Sequence, residues 1–227
     1  MKYINAKKGL KKVYISQVFA IIAAVLSSLT VLFIGLFKIG FADSVAASVL
    51  EFAVLTFAFG LSMIIMVILT NLFGIIGYFQ AAKDEPEFRK AMLCMIASGA
   101  LVIIGSVFQL PNGTLYTIFT SAGTIVEMFV MVFSISGIIK ISDSFENTKM
   151  SGRGDFLLKV LVATYIISSI DTLIVRIFEL SDHAKIVSVI LDVIDLALIV
   201  LRYVLYLRYL RAAMRMITEN DADGLRS

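Results

Sequence analysis

The chain has 227 residues, of which 59% are hydrophobic and 16% charged, and its formal net charge is +3. Soluble domains use about 45–50% apolar and about 25% charged residues, so the composition excludes an ordinary water-soluble fold. The charges lie in clusters between long apolar runs, and no nucleic-acid-binding pattern is present. We therefore expect an integral membrane protein, located in the cell membrane with the lipid bilayer as its solvent.

Six apolar segments are long enough to cross a bilayer. A hydrocarbon core of about 30 Å requires about 20 helical residues, because each residue adds 1.5 Å. The sequence predicts spans at about 13–37, 50–80, 91–110, 115–139, 157–180 and 186–206. The predicted fold class is all-α, a polytopic bundle of six transmembrane helices arranged as three helical hairpins.

The first span follows a basic segment, residues 1–12, and is apolar from Val13 to Phe37. A secretory signal peptide has an apolar core of only about 7–15 residues. We therefore expect this segment to be retained as the first helix of a bundle that occupies residues 13–206. A basic helical extension and a short tail, residues 207–227, complete the predicted organisation.

Breaks between the later spans are marked by helix-breaking and polar residues. Pro86 and Pro111 lie between predicted spans, where a helix must end because proline cannot continue it. The polar stretch 142–155 contains Gly152 and Gly154 and predicts the longest connection.

Basic residues are concentrated at alternate ends of the spans. Sixteen of the 20 Lys and Arg residues lie in the N-terminal segment, the second and fourth connections and the C-terminal segment. Since cytoplasmic loops are enriched in Lys and Arg, both termini are predicted to be cytoplasmic. The exits of the second and fourth spans share a Gly-Ile-Ile motif, at 74–76 and 137–139, which fits either an ancient repeat or chance among apolar residues.

Ionisable residues occur within the last three spans. Glu127 lies near the middle of the fourth span, and Asp171 and Asp195 each lie about nine residues from the outer end of their own span. These three carboxyls therefore share a layer about 13–18 Å below the outer surface. Asp192 lies one turn from Asp195, and Arg176 lies above Asp171, so the predicted intramembrane polar layer has five members.

The free-energy cost of placing charged side chains in a bilayer leaves two interpretations of this layer. One charged side chain at the centre of a membrane helix costs about 2.5–3.5 kcal/mol, so these groups should face protein or water. They could form a solute, ion or proton site, and the surplus of acids favours a cation or a proton if the helix faces converge. Alternatively, Arg176 pairs with one carboxylate while the other acids are protonated and hydrogen-bond between helices as a purely structural device.

Arg202 lies near the inner boundary of the sixth span. A long arginine side chain can extend from such a position to the headgroups. We therefore predict that Arg202 contacts the cytoplasmic lipid interface rather than Asp195, which lies two helical turns away.

Arg208, Arg211 and Arg215 form one stripe beyond the sixth span, because they are spaced by three and four residues. Three nearby tyrosines are expected at interface depth: Tyr203, Tyr206 and Tyr209. The pattern predicts binding to anionic lipid headgroups, with a protein partner as the alternative.

Gly152, Gly154 and Asp155 resemble the Gly-x-Gly-Asp signature of intramembrane aspartyl proteases. The resemblance implies a second aspartate, because these enzymes need two carboxyls that share a water molecule. The first three spans contain no acid between Val13 and Phe37, between Phe52 and Ala82 or between Ala91 and Leu110, and the acids of the later spans lie toward the outer half. We therefore expect no enzyme.

The chain has one histidine, His183, and one cysteine, Cys94, so neither a haem site nor a two-histidine metal site is expected. We predict no cofactor and no metal. The leading functional hypothesis is a small permease, channel or solute-binding membrane protein. The alternative is an accessory or structural protein that binds another membrane protein, a second copy of itself or lipid.

Overall fold

Long helices account for nearly all of the computed structural model, which describes residues 3–40, 46–108, 113–178 and 184–223. Side chains are described for residues 3–30, 57–107, 121–168 and 196–220 and for a few isolated positions. The described residues form six helices and no strand: α1 Ile4–Gly40, α2 Ala46–Ala81, α3 Glu87–Phe108, α4 Gly113–Ser144, α5 Thr148–Phe178 and α6 Ala184–Asp223.

The all-helical fold predicted from the sequence is confirmed for the described residues, and each predicted span overlaps its own helix, with positions 109–110 and 179–180 outside the described part. Within the described residues, four segments are long and apolar enough to cross a membrane: Ile4–Thr30, Phe57–Ala81, Glu87–Val107 and Ser121–Ser144. They belong to α1, α2, α3 and α4. The protein is therefore of the membrane-embedded class.

A short turn, residues 82–86, joins α2 to α3. It also provides hydrogen-bond acceptors for the first turn of α1. The Asp84 carboxylate accepts hydrogen bonds from the backbone N–H of Ala6 at 2.7 Å and from the Asn5 side chain at 2.9 Å. The first N–H groups of a helix lack partners within it and carry positive partial charge, so an acidic side chain stabilises this position. Asp84 thereby fixes the first turn of α1 to the α2–α3 turn.

The connection between α4 and α5 is much shorter than the sequence predicted. Only residues 145–147 lie outside the helices, whereas the polar stretch 142–155 had predicted the longest connection. The Asn147 N–H donates to Ser142 O and the Glu146 N–H to Asp143 O, with Glu146 at a φ of 57°. This is the hydrogen-bond pattern of a Schellman motif, which ends a helix within one turn.

The start of α5 explains why the polar stretch is helical. The Asn147 side chain accepts a hydrogen bond from the Met150 N–H at 3.0 Å and so caps the new helix. Gly154 lies buried in α5, where an added Cβ would meet the Tyr209 hydroxyl and the Ile139 side chain. Gly154 thus serves close packing between helices rather than a flexible loop.

The helices form a ring. Among the described residues, each helix contacts its neighbours along the chain, and α6 contacts α1. A smaller contact joins α4 to α6. The closing pair includes a hydrogen bond from Arg211 to the Tyr14 hydroxyl at 2.7 Å.

One end of the ring, which we call the connection end, comprises segments 3–14, 78–95, 131–161 and 203–217. The rings of Tyr3 and Phe145 pack there with their centroids 5.3 Å apart. Glu87 at the start of α3 pairs with Lys140 of α4 at 2.6 Å and with Lys90 at 3.0 Å. The N-terminal segment, the α2–α3 turn and the α4–α5 turn therefore meet at the same end.

The packed core also lies mainly at the connection end. Fully buried side chains there come from all six helices, including Leu10, Tyr78, Phe88, Ile138, Leu161 and Leu210. In contrast, large apolar side chains are exposed elsewhere, such as Phe57 at 73% and Val107 at 70%. Such exposure fits a surface in contact with lipid, because water would leave these groups unfavourably hydrated.

Candidate functional site

Polar side chains from four helices meet inside the ring. We call this group the interior polar cluster. Its members are Tyr78 of α2, Glu127 and Ser134 of α4, Tyr165 of α5, and Arg202, Tyr203 and Tyr206 of α6.

A chain of hydroxyl groups forms the part of the cluster nearest the connection end. Tyr206 donates a hydrogen bond to Ser134 Oγ, and the Tyr78 and Tyr206 hydroxyl oxygens lie 3.2 Å apart. All three side chains are completely buried. Because buried hydroxyls are costly unless they are hydrogen-bonded, this chain links α2, α4 and α6 through the centre of the ring.

Glu127 lies two helical turns from Ser134 on the same face of α4. The Tyr203 hydroxyl donates a hydrogen bond to Glu127 Oε1 at 3.2 Å. Glu127 therefore faces α6, as expected for a carboxyl that avoids lipid. The side chains of Glu127 and Tyr203 are only partly buried, so the cluster can be approached from one side.

Arg202 is turned toward the inside of the bundle and is only 7% exposed. The guanidinium carbon lies 4.1 Å from the centre of the Tyr165 ring, a cation–π contact between α6 and α5. This geometry differs from the predicted reach to the headgroups. The ring of Tyr165 and the negative charge of Glu127 attract the guanidinium inward instead.

Arg202 also retains unused hydrogen-bonding capacity. Its Nη1 atom is buried and has no hydrogen-bond partner among the described residues. Arg202 and Glu127 attract each other electrostatically. The ion pairs of the described side chains are nevertheless all formed by Lys90 and Lys140, so no direct ion pair neutralises Arg202 there.

Four members of the predicted polar layer lie outside the described side chains. The backbone places Asp171 and Arg176 in α5 and Asp192 and Asp195 in α6. Of the predicted layer, the structure describes the contacts of Glu127 alone.

The three arginines of the predicted headgroup stripe are exposed on α6. Arg211 stacks near Tyr14, with 5.5 Å between the guanidinium carbon and the ring centre. Arg211 and Arg215 line an open groove with Met214, Thr218 and Glu219. The stripe is thus partly anchored to α1 while its charges remain accessible.

Two tyrosines expected at interface depth are buried instead. Tyr206 is completely buried and Tyr209 is 5% exposed. Burial, together with the nearby carboxylates of Asp155 and Asp143, raises the pKa of Tyr209, so its hydroxyl stays neutral. Contacts with α2 and α4 at Tyr206 and with α5 at Tyr209 account for this burial.

Sequence reasoning did not single out Tyr78, Ser134 and Tyr165, and it did not predict the hydrogen bonds that Tyr203 and Tyr206 make with α4. A signal existed for α4, where Glu127 and Ser134 are separated by seven residues and so share a face. No comparable signal marked Tyr78 or Tyr165, because tyrosine is common both in helix interiors and at membrane interfaces.

No family model, curated protein or solved structure matches this chain.

Proposed function

We propose that the protein crosses the cell membrane six times with both termini in the cytoplasm. The support is the grouping of its basic segments, since the N-terminal segment and the two basic turns meet at the connection end. Cytoplasmic segments are enriched in Lys and Arg. Under this proposal α5 and α6 also span the bilayer, and the connection end lies at its cytoplasmic side.

We further propose a non-enzymatic function, that of a small permease, channel or solute-binding protein. The observation that carries the proposal is the burial of Arg202 in one cluster with the partly buried Glu127, to which no ion pair of the described side chains joins it. Charges kept in a bilayer are costly, and in membrane proteins they mark solute, ion or proton sites. In this proposal Asp171, Arg176, Asp192 and Asp195 complete the polar layer, and a cation or proton is among its ligands.

A second candidate function is that of an accessory protein for another membrane protein, a second copy of this chain or lipid. The hydrogen bonds among Tyr78, Tyr206 and Ser134 favour it, because they satisfy one another and leave nothing for a solute. The exposed arginine stripe would then serve binding to anionic headgroups.

The substitution Glu127→Gln distinguishes between the two proposed functions. Glutamine preserves the shape and can still accept the hydrogen bond from Tyr203, so stability should change by no more than about 1 kcal/mol. Removing the charge should reduce proton or monovalent-cation flux in proteoliposomes to the level of protein-free vesicles. Flux would be followed with a pH-sensitive dye and with sodium- and potassium-sensitive dyes, and stability by thermal unfolding.

Glu146→Gln is the matched control, because Glu146 is exposed in the α4–α5 turn and far from the cluster. We expect it to retain wild-type flux. An absence of flux in the wild type, combined with a lower unfolding temperature of Glu127→Gln, would reject the permease or channel and favour the accessory protein.

A further inference from the structure

The inward position of Arg202 changes the kind of ligand that the interior can bind. The sequence favoured a cation or proton because acids outnumbered bases in the polar layer, with Arg202 assigned to the headgroups. In the structure the Arg202 guanidinium and the Glu127 carboxyl belong to the same cluster. The cluster therefore holds a buried cationic donor as well as an acid.

Arg202 is distinguished from the other buried groups by its charge. Four neutral polar atoms in the described residues are also buried without a hydrogen-bond partner: Gln17 Oε1, Thr70 Oγ1, Gln80 Oε1 and Tyr209 Oη. An unpaired donor on a charged group is more costly to bury than a neutral one. A ligand oxygen that accepts from Nη1 would remove this cost.

The neighbours of Arg202 hold it ready for such a ligand. Tyr165 packs against the face of the guanidinium, which leaves the edge with its N–H donors for polar contacts. Tyr203 donates a hydrogen bond to Glu127 Oε1, and no ion pair of the described side chains joins Glu127 to Arg202. Glu127 and Tyr203 are partly exposed, so this side of the cluster is not fully covered by protein.

We propose that Arg202 binds the carboxylate group of a small organic anion inside the bundle. A carboxylate matches the planar fork of a guanidinium. A single negative charge is favoured over a phosphate dianion, because Arg202 is the one cationic member of the cluster and Glu127 opposes further negative charge. The tyrosine rings suit an apolar ligand body. This inference rests on the proposed solute-binding function and assigns a substrate class to it.

The test compares a carboxylate with its neutral counterpart on the full-length protein in lipid nanodiscs. Benzoate and butyrate are the probes, and benzamide is the uncharged match to benzoate. Cys94, the sole cysteine and partly buried, allows unfolding to be followed with a thiol-reactive dye. We expect benzoate or butyrate, but not benzamide, to raise the unfolding temperature as concentration increases.

Substitutions then locate the site. Arg202→Gln should weaken the carboxylate effect about tenfold or more, since a hydrogen bond between charged groups is lost. Arg202→Lys retains the charge, should bind more weakly than the wild type and provides the test if Arg202→Gln fails to fold. Arg153→Gln, which removes an exposed arginine at the start of α5, should behave as the wild type.

Equal stabilisation by benzamide, unchanged binding in Arg202→Gln, or no response to either carboxylate would overturn the inference. Such a result would leave the proposed function intact if proton or cation flux still depended on Glu127. Loss of both the carboxylate response and the Glu127-dependent flux would reject the solute site altogether.

Discussion

Glu146 adopts a left-handed backbone conformation, with a φ of 57°, at the end of α4. This conformation costs a residue with a Cβ roughly 1–2 kcal/mol, and glycine is the usual occupant of the position. Part of the gain from glycine is offset by its greater freedom in the unfolded chain. Glu146→Gly should therefore stabilise the protein by about 0.5–1 kcal/mol in chemical unfolding.

Glu146→Ala is the appropriate control for that exchange, because it removes the carboxylate and keeps the Cβ. It should give no comparable gain. Equal stabilisation by alanine and glycine would show that the charge of Glu146, rather than its backbone conformation, had been unfavourable.

Single residues also show where sequence-based reasoning stops. The cost of a charge in lipid was enough to predict that Glu127 faces protein. The same cost did not predict the direction of the Arg202 side chain. An arginine near a helix end can reach the headgroups or turn toward the inside of the bundle. The inward choice depends on Tyr165, which lies on another helix and whose position is set by packing between α5 and α6.

At the scale of elements, α1 and α2 approach so closely that two glycines are required at their contact. A Cβ added to Gly9 would meet the Gly77 carbonyl oxygen and would lie 2.6 Å from the Ala81 backbone nitrogen. Backbone atoms cannot yield as a flexible side chain can, so the helices would have to separate. Gly9→Ala should destabilise the protein by about 1–3 kcal/mol in thermal or chemical unfolding.

Gly60→Ala, also in α2, provides the comparison. A Cβ at Gly60 would have no neighbour within 4 Å among the described residues. Alanine should therefore be neutral there or slightly stabilising, since it favours helix more than glycine does. If the two substitutions had equal effects, the close approach of α1 and α2 would not contribute to stability.

Helix positions were predictable because apolar length is a local property of the chain. The segments 50–80 and 115–139 lie within α2 and α4. The prediction of a long connection at 142–155 was wrong because contacts between distant residues outweigh the local preference. Its polar residues and glycines favour a loop locally, but the Asn147 cap and the packing of Gly154 on Tyr209 extend the helices.

For the whole molecule, the six-span proposal predicts which positions are reachable from each side. Single cysteines would be placed in a Cys94→Ala background and treated with a membrane-impermeant maleimide on intact cells. Cysteines replacing Lys8, Lys83 or Lys149 should react only after permeabilisation, because these residues belong to the basic segments. Cysteines replacing Asp43 or His183 should react without it, since the sequence predicts both positions outside.

A different number of spans would divide the basic positions between the two sides. Labelling of position 83 but not position 8 from outside would contradict the proposal directly. The total yield of each variant, measured after denaturation, controls for differences in expression.

The contact between α6 and α1 has a consequence for biosynthesis. The Arg211–Tyr14 hydrogen bond joins residues 197 positions apart, so the ring can close only after α6 has been synthesised. Until then Tyr14 on the inward face of α1 lacks the α6 neighbour that it has in the finished protein. A chain that stops before α6 should consequently persist in the membrane as an open intermediate and be a preferred target for quality-control proteases.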